Sequence, residues 1–196
     1  MPVLTRICVF CGANPGANPS YVQAARAMGQ AFVEQGIGLV YGGSGLGMMG
    51  AVANAVLEGK GSVIGVIPKA LATREKAHHG LADLRVVSSM HERKALMAEL
   101  ADGFIALPGG MGTLEELCEI ITWAQLGIHE KPIGLLNVDG YFDPLIAFFD
   151  HMVSQGYLAP HDRALICVES SPQALIACFK TYQRAPAPMW LDASES

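Results

Sequence analysis

The chain alternates short apolar runs with longer amphipathic stretches over nearly its whole length. The apolar runs are typical of buried strands and lie at 7–10, 38–43, 62–68, 84–87, 104–110, 132–137 and 165–168. The stretches between them carry helical patterns and lie at 20–35, 46–58, 89–101, 113–126, 142–154 and 172–181. Strands that alternate with helices pair in parallel through right-handed crossovers. The sequence therefore predicts an α/β fold with a doubly wound parallel sheet, in which ligands bind at the carboxyl ends of the strands.

The length and the apolar content favour a single domain. With 196 residues, 51% of them apolar, the chain is long enough to bury one core. We expect this domain to span residues 1–183 and the Pro/Ala-rich stretch 184–196 to be a loose tail. The charged segment 69–83 fits no strand or helix cleanly, and we interpret it as a lid or a short helix over the site.

Charge and cysteine content narrow the class of protein. The formal net charge of −5 argues against a general nucleic-acid binder, which is normally basic. The sequence has no apolar run of about 18 residues, so we expect no membrane span, and MPVLTRICVF lacks the features of a signal peptide. The five scattered cysteines fit a reducing compartment better than a disulfide framework. We therefore expect a cytoplasmic protein that binds neither membranes nor nucleic acids.

Three glycine-rich turns follow predicted strands, at 11–16, 41–50 and 108–113. The second turn approaches a dinucleotide-binding fingerprint with Gly43 and Gly45, but Met48 breaks the G-x-G-x-x-G spacing. This break disfavours an NAD-dependent oxidoreductase. It leaves two interpretations of Gly43 and Ser44 open, which are contact with a nucleotide or phosphate and tight packing of a strand against a helix.

The third turn, 108–113, is suited to hold an anion. Its glycines let a ligand approach the backbone closely, and the helix predicted to begin near Thr113 offers free N–H groups and a positive dipole end. Thr113 and Glu116 also fit the S/T-x-x-E pattern of a capping box. Helical phase places Glu116 in one stripe with Ile120 and Trp123, on the apolar side. Glu116 is therefore either a helix cap or a carboxylate turned towards a site.

A second helix start carries a cation on its apolar side. The stretch 89–92 again fits a capping box, and Arg93 falls in the apolar stripe that continues through Leu96. An arginine on that face needs an anionic partner, because burying an unpaired charge is costly. That partner is Glu116 in one interpretation and a ligand phosphate in the other. The neighbouring Lys94 is either a ligand contact or a solvated surface lysine.

Other reactive side chains give weaker signals. Cys8 and Cys11 have the spacing of a redox pair but lie along a predicted strand, which favours core packing. His78, His79 and His91 have no companion ligands at zinc spacing, so we expect no metal site.

Two motifs together resemble a known family. Residues 90–94, MHERK, and residues 108–116, PGGMGTLEE, are similar to the two motifs that mark the Lonely Guy (LOG) family, and the resemblance extends over about residues 5–180. It implies a Rossmann-like fold with helices on both faces of the sheet and a homodimer with sites near the interface. We expect no cofactor. The resemblance also implies hydrolysis of the N-glycosidic bond of adenosine 5′-monophosphate, plain or N6-prenylated. The products would be a free adenine-type base (a cytokinin) and ribose 5-phosphate.

The resemblance implies roles for individual residues as well. Arg93 and Glu116 would be catalytic, with Glu116 stabilising the cationic sugar and Arg93 orienting the phosphate or the departing base. The substrate contacts would be Glu75, Lys94, Gly109, Gly110, Met111, Gly112, Thr113, Leu114, Glu115 and Thr122.

Two other functions compete with this one. Relatives are often labelled lysine decarboxylases, but we find no local pattern that supplies the Schiff-base lysine and ring-nitrogen partner that pyridoxal phosphate requires. The second competitor is a non-catalytic Rossmann-like carrier of a nucleotide or cofactor. A carrier needs no carboxylate beside a phosphate loop, so the combination of Arg93 and Glu116 favours the enzyme.

Overall fold

The strands form one parallel sheet. The structure is a computed structural model that describes residues 4–72 and 77–183. In these residues the strands are β1 (Arg6–Phe10), β2 (Gly38–Tyr41), β3 (Val63–Pro68), β4 (Asp83–Val87), β5 (Phe104–Ala106), β6 (Ile133–Leu136) and β7 (Ile166–Glu169). They are ordered β4-β3-β2-β1-β5-β6-β7, and every pair is parallel. This arrangement confirms the predicted α/β fold.

The helices fill the connections between strands. They are α1 (Pro19–Gln35), α2 (Gly47–Glu58), α3 (Lys69–Ala72), α4 (Met90–Leu100), α5 (Met111–Leu126), α6 (Asp143–Ser154), α7 (Pro160–Arg163) and α8 (Pro172–Thr181), with a 3₁₀ turn at Val138–Gly140. All six helices predicted from the sequence are present. Two predicted strands, 38–43 and 104–110, are too long, because the chain leaves the ladder after Tyr41 and after Ala106 to form glycine loops.

The sheet separates two apolar layers. Ile7 and Val9 of β1 face a layer built with α1, α2 and α8, whereas Cys8 and Phe10 face a layer built with α4, α5 and α6. The helices therefore cover both faces, as a doubly wound sheet requires. Cys11 belongs to the first layer and Cys8 to the second, so the two thiols lie on opposite sides of the sheet. The two cysteines therefore pack in the core and do not form a redox pair.

The chain reverses its winding direction between β1 and β5. From β1 the strands proceed through β2 and β3 to β4, and the chain then returns to β5 on the other side of β1. The loops after these two neighbouring strands meet, since Gly12 N donates to Pro108 O at 3.1 Å and Leu107 N donates to Phe10 O at 2.9 Å. Ligands of doubly wound sheets bind at such a reversal.

The segment after β3 is tied to the second glycine turn. It begins with the short helix α3, and Ala77 forms an isolated β-bridge with Ser44. His78 N donates to Gly43 O at 3.0 Å. A short helix is therefore present at the start of 69–83, as one of the two interpretations predicted, and its position over the site stays a prediction. The predicted tail at 184–196 lies outside the described residues.

One cysteine pair departs from the expectation of unpaired thiols. Cys167 of β7 and Cys178 of α8 form a disulfide. Their spacing in the chain gives no signal of this, because the pairing depends on how α8 packs back against β7. In the described part of the chain, no helix combines the length and the apolar character that a bilayer crossing needs.

Candidate active site

A cavity of about 470 Å³ opens where the winding reverses. Its walls come from the loops after β1, β2 and β5, from the first turns of α2, α4 and α5, and from two tyrosines. The lining includes residues 11–16, Tyr21, Gly42, Met48, Met49, Met90, Arg93, Gly109, Gly110, Gly112, Thr113, Glu115, Glu116 and Tyr141.

The N-terminus of α5 is open to the cavity. The helix begins at Met111 with Gly110 as its N-cap, and no side chain caps it. The predicted capping box is therefore wrong, since the helix starts two residues earlier and Thr113 lies buried inside its first turn. Within the described residues, the backbone N–H groups of Met111, Gly112 and Thr113 have no backbone acceptor. These donors and the positive dipole end are suited to an anion.

The N-terminus of α2 has its donors already engaged. Gly12 O accepts from Met48 N at 3.1 Å and from Met49 N at 3.4 Å. Gly43 and Ser44 lie outside the cavity lining, and Ser44 is fully buried in its bridge to the segment after β3. The contacts observed for Gly43 and Ser44 are thus packing contacts, whereas Gly42, Met48 and Met49 of the same turn line the cavity. A contact of Gly43 or Ser44 with the substrate stays a prediction.

Arg93 is held rigidly at the base of the cavity. It is 6% exposed, and its Nε donates to Val66 O at 3.1 Å while Nη2 donates to Gly42 O at 3.4 Å. A Cβ atom at position 42 would overlap this guanidinium, so a larger residue there would displace Arg93 from its place. The buried position agrees with the helical stripe predicted from the sequence.

Glu116 faces Arg93 from the second turn of α5. It is 8% exposed, and its Oε1 lies 3.5 Å from Nη1 of Arg93. The charge of Glu116 also acts on the Cys8 thiol: burial raises the pKa of this thiol, and the negative charge of Glu116 raises it further. The predicted pairing of Arg93 with Glu116 is therefore present, and both members line the cavity.

Lys94 is buried and not solvated, so the interpretation as a surface lysine is wrong. Its Nζ donates to the carboxylate of Glu115 and, at 3.0 Å, to that of Glu119. Burial disfavours the ammonium, but the hydrogen bonds to both carboxylates outweigh it and hold the pKa of Lys94 above its ordinary value. Glu115 lines the cavity whereas Lys94 lies behind it.

Of the other residues that the resemblance assigns to substrate contact, only some line the cavity. Four of them, at or just before the start of α5, line the cavity: Gly109, Gly110, Gly112 and Thr113. Met111, Leu114 and Thr122 do not line it: Met111 is 81% exposed, Leu114 is half-buried and Thr122 is exposed. Glu75 lies outside the described residues.

Sequence reasoning missed one wall of the cavity. The first glycine turn, 11–16, was recognised as a turn but given no role, although it follows the central strand of the sheet. Tyr141 Oη donates to Gly109 O at 2.6 Å, and the ring of Tyr21 meets that of Tyr141 edge-on at 5.4 Å. The first turn could be linked to the site only by its position, because it follows β1 beside the reversal of winding.

No metal cluster accompanies this cavity. Across 4–72 and 77–183, no three His, Cys, Asp or Glu side chains gather as ligands of one ion.

The fold and the cavity define a Rossmann-like protein that presents an open helix N-terminus and a buried arginine–glutamate pair to one ligand. A family model described as "Possible lysine decarboxylase" matches residues 49–179. The rice (Oryza sativa subsp. japonica) protein "Cytokinin riboside 5′-monophosphate phosphoribohydrolase LOG" is 54% identical over 177 residues, which are 90% of this chain and 73% of that one. The Arabidopsis thaliana enzyme LOG7 of the same description is 51% identical over 178 residues, 91% of this chain and 82% of its own. The chain therefore belongs to the LOG family, the group that this family model covers.

Solved structures of other proteins share the fold. The molybdenum cofactor carrier protein of Chlamydomonas reinhardtii superposes with a TM-score of 0.70 at 22% identity, covering 91% of this chain and 97% of that one. The molybdenum cofactor binding protein of Rippkaea orientalis gives 0.68 at 23% identity, with 92% and 98% covered. At this identity the likeness concerns the fold alone.

Proposed function

We propose that this protein is a phosphoribohydrolase that cleaves the N-glycosidic bond of adenosine 5′-monophosphates, including cytokinin riboside 5′-monophosphates. The products are a free adenine-type base and ribose 5-phosphate. One observation carries the proposal: the buried pair of Arg93 and Glu116 lines the same cavity as the uncapped N-terminus of α5. The names of relatives that are 54% and 51% identical support it.

The 5′-phosphate binds at the N-terminus of α5 in this proposal. The N–H groups of Gly112 and Thr113 point out of the first turn, and the dipole favours a negative charge. Gly110 and Gly112 leave open space where a Cβ atom would stand, so a phosphate can reach the backbone.

The sugar then lies towards Glu116, one turn further along the helix. Breaking the bond between C1′ and the base nitrogen builds positive charge on the ribose, and a fixed carboxylate stabilises that charge. Glu116 also accepts a proton from the attacking water, whose oxygen bonds to C1′, while the base leaves with the electron pair of the broken bond and takes up a proton from solvent. Glu116 then returns its proton to solvent.

Arg93 keeps this carboxylate in place and orients the bound nucleotide. Two backbone carbonyls fix its guanidinium, so its orientation is preset before substrate binds. Its charge also favours the departure of an electron-rich purine. The contacts assigned to Glu75, Lys94 and Thr122 stay predictions.

The decarboxylase description fits the cavity poorly. A pyridoxal phosphate enzyme needs a lysine amine at the reacting centre. The described residues that line the cavity include no lysine, and the nearby Lys94 is held by two carboxylates.

The test is a chromatographic assay of purified protein with AMP, isopentenyladenosine 5′-monophosphate and the two unphosphorylated ribosides. Free base from the monophosphates alone is the expected result. The ratio of the two rates then measures the contribution of the prenyl group. Nucleotide binding without any release of base would contradict the proposal and favour a carrier.

We also propose a homodimer in the cytoplasm. Met90 and Met111 begin α4 and α5 beside the cavity and are 39% and 81% exposed. These two apolar side chains lie where the proposal places the contact with a second copy. Sedimentation equilibrium should give about twice the chain mass of 20.8 kDa. The mass of a single chain would contradict the dimer.

A further inference from the structure

Tyr141 lines the cavity and contacts the adjacent glycine loop 108–113. It follows the 3₁₀ turn after β6, and its hydroxyl donates to the carbonyl oxygen of Gly109 at 2.6 Å. The side chain is 39% exposed and lines the cavity. The proposed chemistry gives this hydroxyl no role.

The bond to Gly109 sets the direction of one peptide unit. In a trans peptide the C=O and the following N–H point in opposite directions, and no cis peptide is present in the described residues. Holding the Gly109 carbonyl towards Tyr141 therefore turns the N–H of Gly110 the other way. If this peptide rotated, a carbonyl oxygen could face the phosphate site and repel an anion there.

The turn that carries Tyr141 is held in an uncommon conformation. Asp139 has φ 50° and ψ 34°, in the left-handed region that non-glycine residues seldom adopt. Its carboxylate accepts from Ser20 Oγ at 2.6 Å and from Asn18 Nδ2 at 3.1 Å, which fastens the turn to the start of α1. Strained residues of this kind persist where the surroundings hold them, often at functional sites.

The ring of Tyr141 is held independently of its hydroxyl. Tyr21 and Phe142 meet it edge-on, with ring centroids 5.4 Å and 5.1 Å away. Removing the hydroxyl alone therefore leaves the ring in its packing.

We propose that Tyr141 is a positioning residue that orients the peptide between Gly109 and Gly110 so that the N-terminus of α5 accepts the 5′-phosphate. This inference rests on the proposed function, because the phosphate site is part of that proposal. It gives a part in phosphate binding to a residue that lies far along the sequence from both motifs.

The test compares the wild type with Tyr141→Phe by calorimetric titration of two products, ribose 5-phosphate and adenine. Loss of one hydrogen bond should weaken ribose 5-phosphate binding about fivefold to tenfold. Adenine affinity should not change. The matched control is Tyr157→Phe, which removes a hydroxyl from a side chain that is 89% exposed and outside the cavity.

A second measurement separates positioning from direct contact with the ligand. In the ligand-free protein, the amide NMR resonances of Gly110 and Gly112 should shift in Tyr141→Phe, whereas those of α8 should not. Unchanged Gly110 and Gly112 resonances would overturn the inference. Equal weakening of both ligands, or unchanged ribose 5-phosphate binding, would also overturn it. If the wild type releases no base but ribose 5-phosphate binding weakens selectively, the function fails and the positioning role stands.

Discussion

At the scale of single residues, the site depends on two charges that burial makes costly. Taking an ion out of water costs several kcal/mol even after relaxation. Arg93 recovers part of this cost from Val66 O, Gly42 O and the carboxylate of Glu116. An apolar pair would pack there without that cost, which supports the proposal that the two charges serve the chemistry of the cavity.

Glu116→Gln tests the carboxylate directly. The change keeps the shape of the side chain but removes the charge that stabilises the cationic sugar, so kcat should fall by at least about a hundredfold. Nucleotide affinity should be largely kept. Steady-state kinetics and calorimetry measure the two effects. The exposed Glu34 of α1 offers a matched control, since Glu34→Gln should retain full activity. An active Glu116→Gln enzyme would reduce Glu116 to a structural partner of Arg93.

Gly42→Ala tests whether the position of the Arg93 guanidinium matters, because it leaves both Arg93 and Glu116 in the sequence. The added methyl group would overlap the guanidinium and approach Met49 Sδ to 2.9 Å, so Arg93 must move. We expect kcat/KM to fall at least about tenfold, because small displacements of catalytic groups are costly. Circular dichroism checks that the fold is kept. Folded Gly42→Ala protein with wild-type kcat/KM would show that the position of Arg93 does not matter.

At the scale of elements, the proposed phosphate site depends on the start of α5. A Cβ atom at position 112 would meet no protein atom within 4 Å, and alanine favours a helix more than glycine does. Gly112→Ala should therefore keep or raise the melting temperature. It should weaken ribose 5-phosphate binding at least about tenfold, because the methyl group occupies the space of the ligand. Unweakened binding would place the phosphate elsewhere.

The start of β1 is held by a carboxylate whose protonation gives stability a pH dependence. Asp102 accepts from Thr5 N and Oγ1 and from Arg6 N at 2.6–2.9 Å. Burial opposes its ionised form, but these hydrogen bonds outweigh burial and hold the pKa of Asp102 below its ordinary value. The carboxylate therefore stabilises the fold above the unfolded-state pKa of about 3.9, and this contribution is lost as pH falls through the lower folded-state pKa.

Asp102→Asn should lower the free energy of unfolding by about 1–2 kcal/mol at pH 7. The difference from the wild type should shrink as the pH is lowered from 4 towards 2, because the wild-type carboxyl is then protonated. Urea unfolding at several pH values measures it. If the difference in the free energy of unfolding stays constant over this range, the charge of Asp102 contributes nothing to stability.

At the scale of the whole molecule, local patterns predicted most of the elements but missed one wall of the site. Periodicity places Arg93 and Glu116 on the buried faces of their helices, and that is a property of each helix alone. Tyr141 joins the cavity only because β6 lies beside β5, and Cys167 meets Cys178 only because α8 returns to β7. Such contacts depend on sheet order, which spacing along the chain does not encode.

The capping box shows how a local pattern misleads. Thr113 and Glu116 have the right spacing for a cap, but Gly110 begins the helix and leaves its first donors free. The glycine at the N-cap supplies no side-chain acceptor, which supports the proposal that an anion from outside the chain binds there.

A crystal structure of the protein with ribose 5-phosphate tests the central claim most directly, because both ends of the sugar then become visible. We expect the phosphate oxygens to accept from the backbone N–H groups of Gly112 and Thr113, with C1 of the sugar facing the carboxylate of Glu116. A phosphate bound at the start of α2, or a sugar whose C1 points away from Glu116, would contradict it.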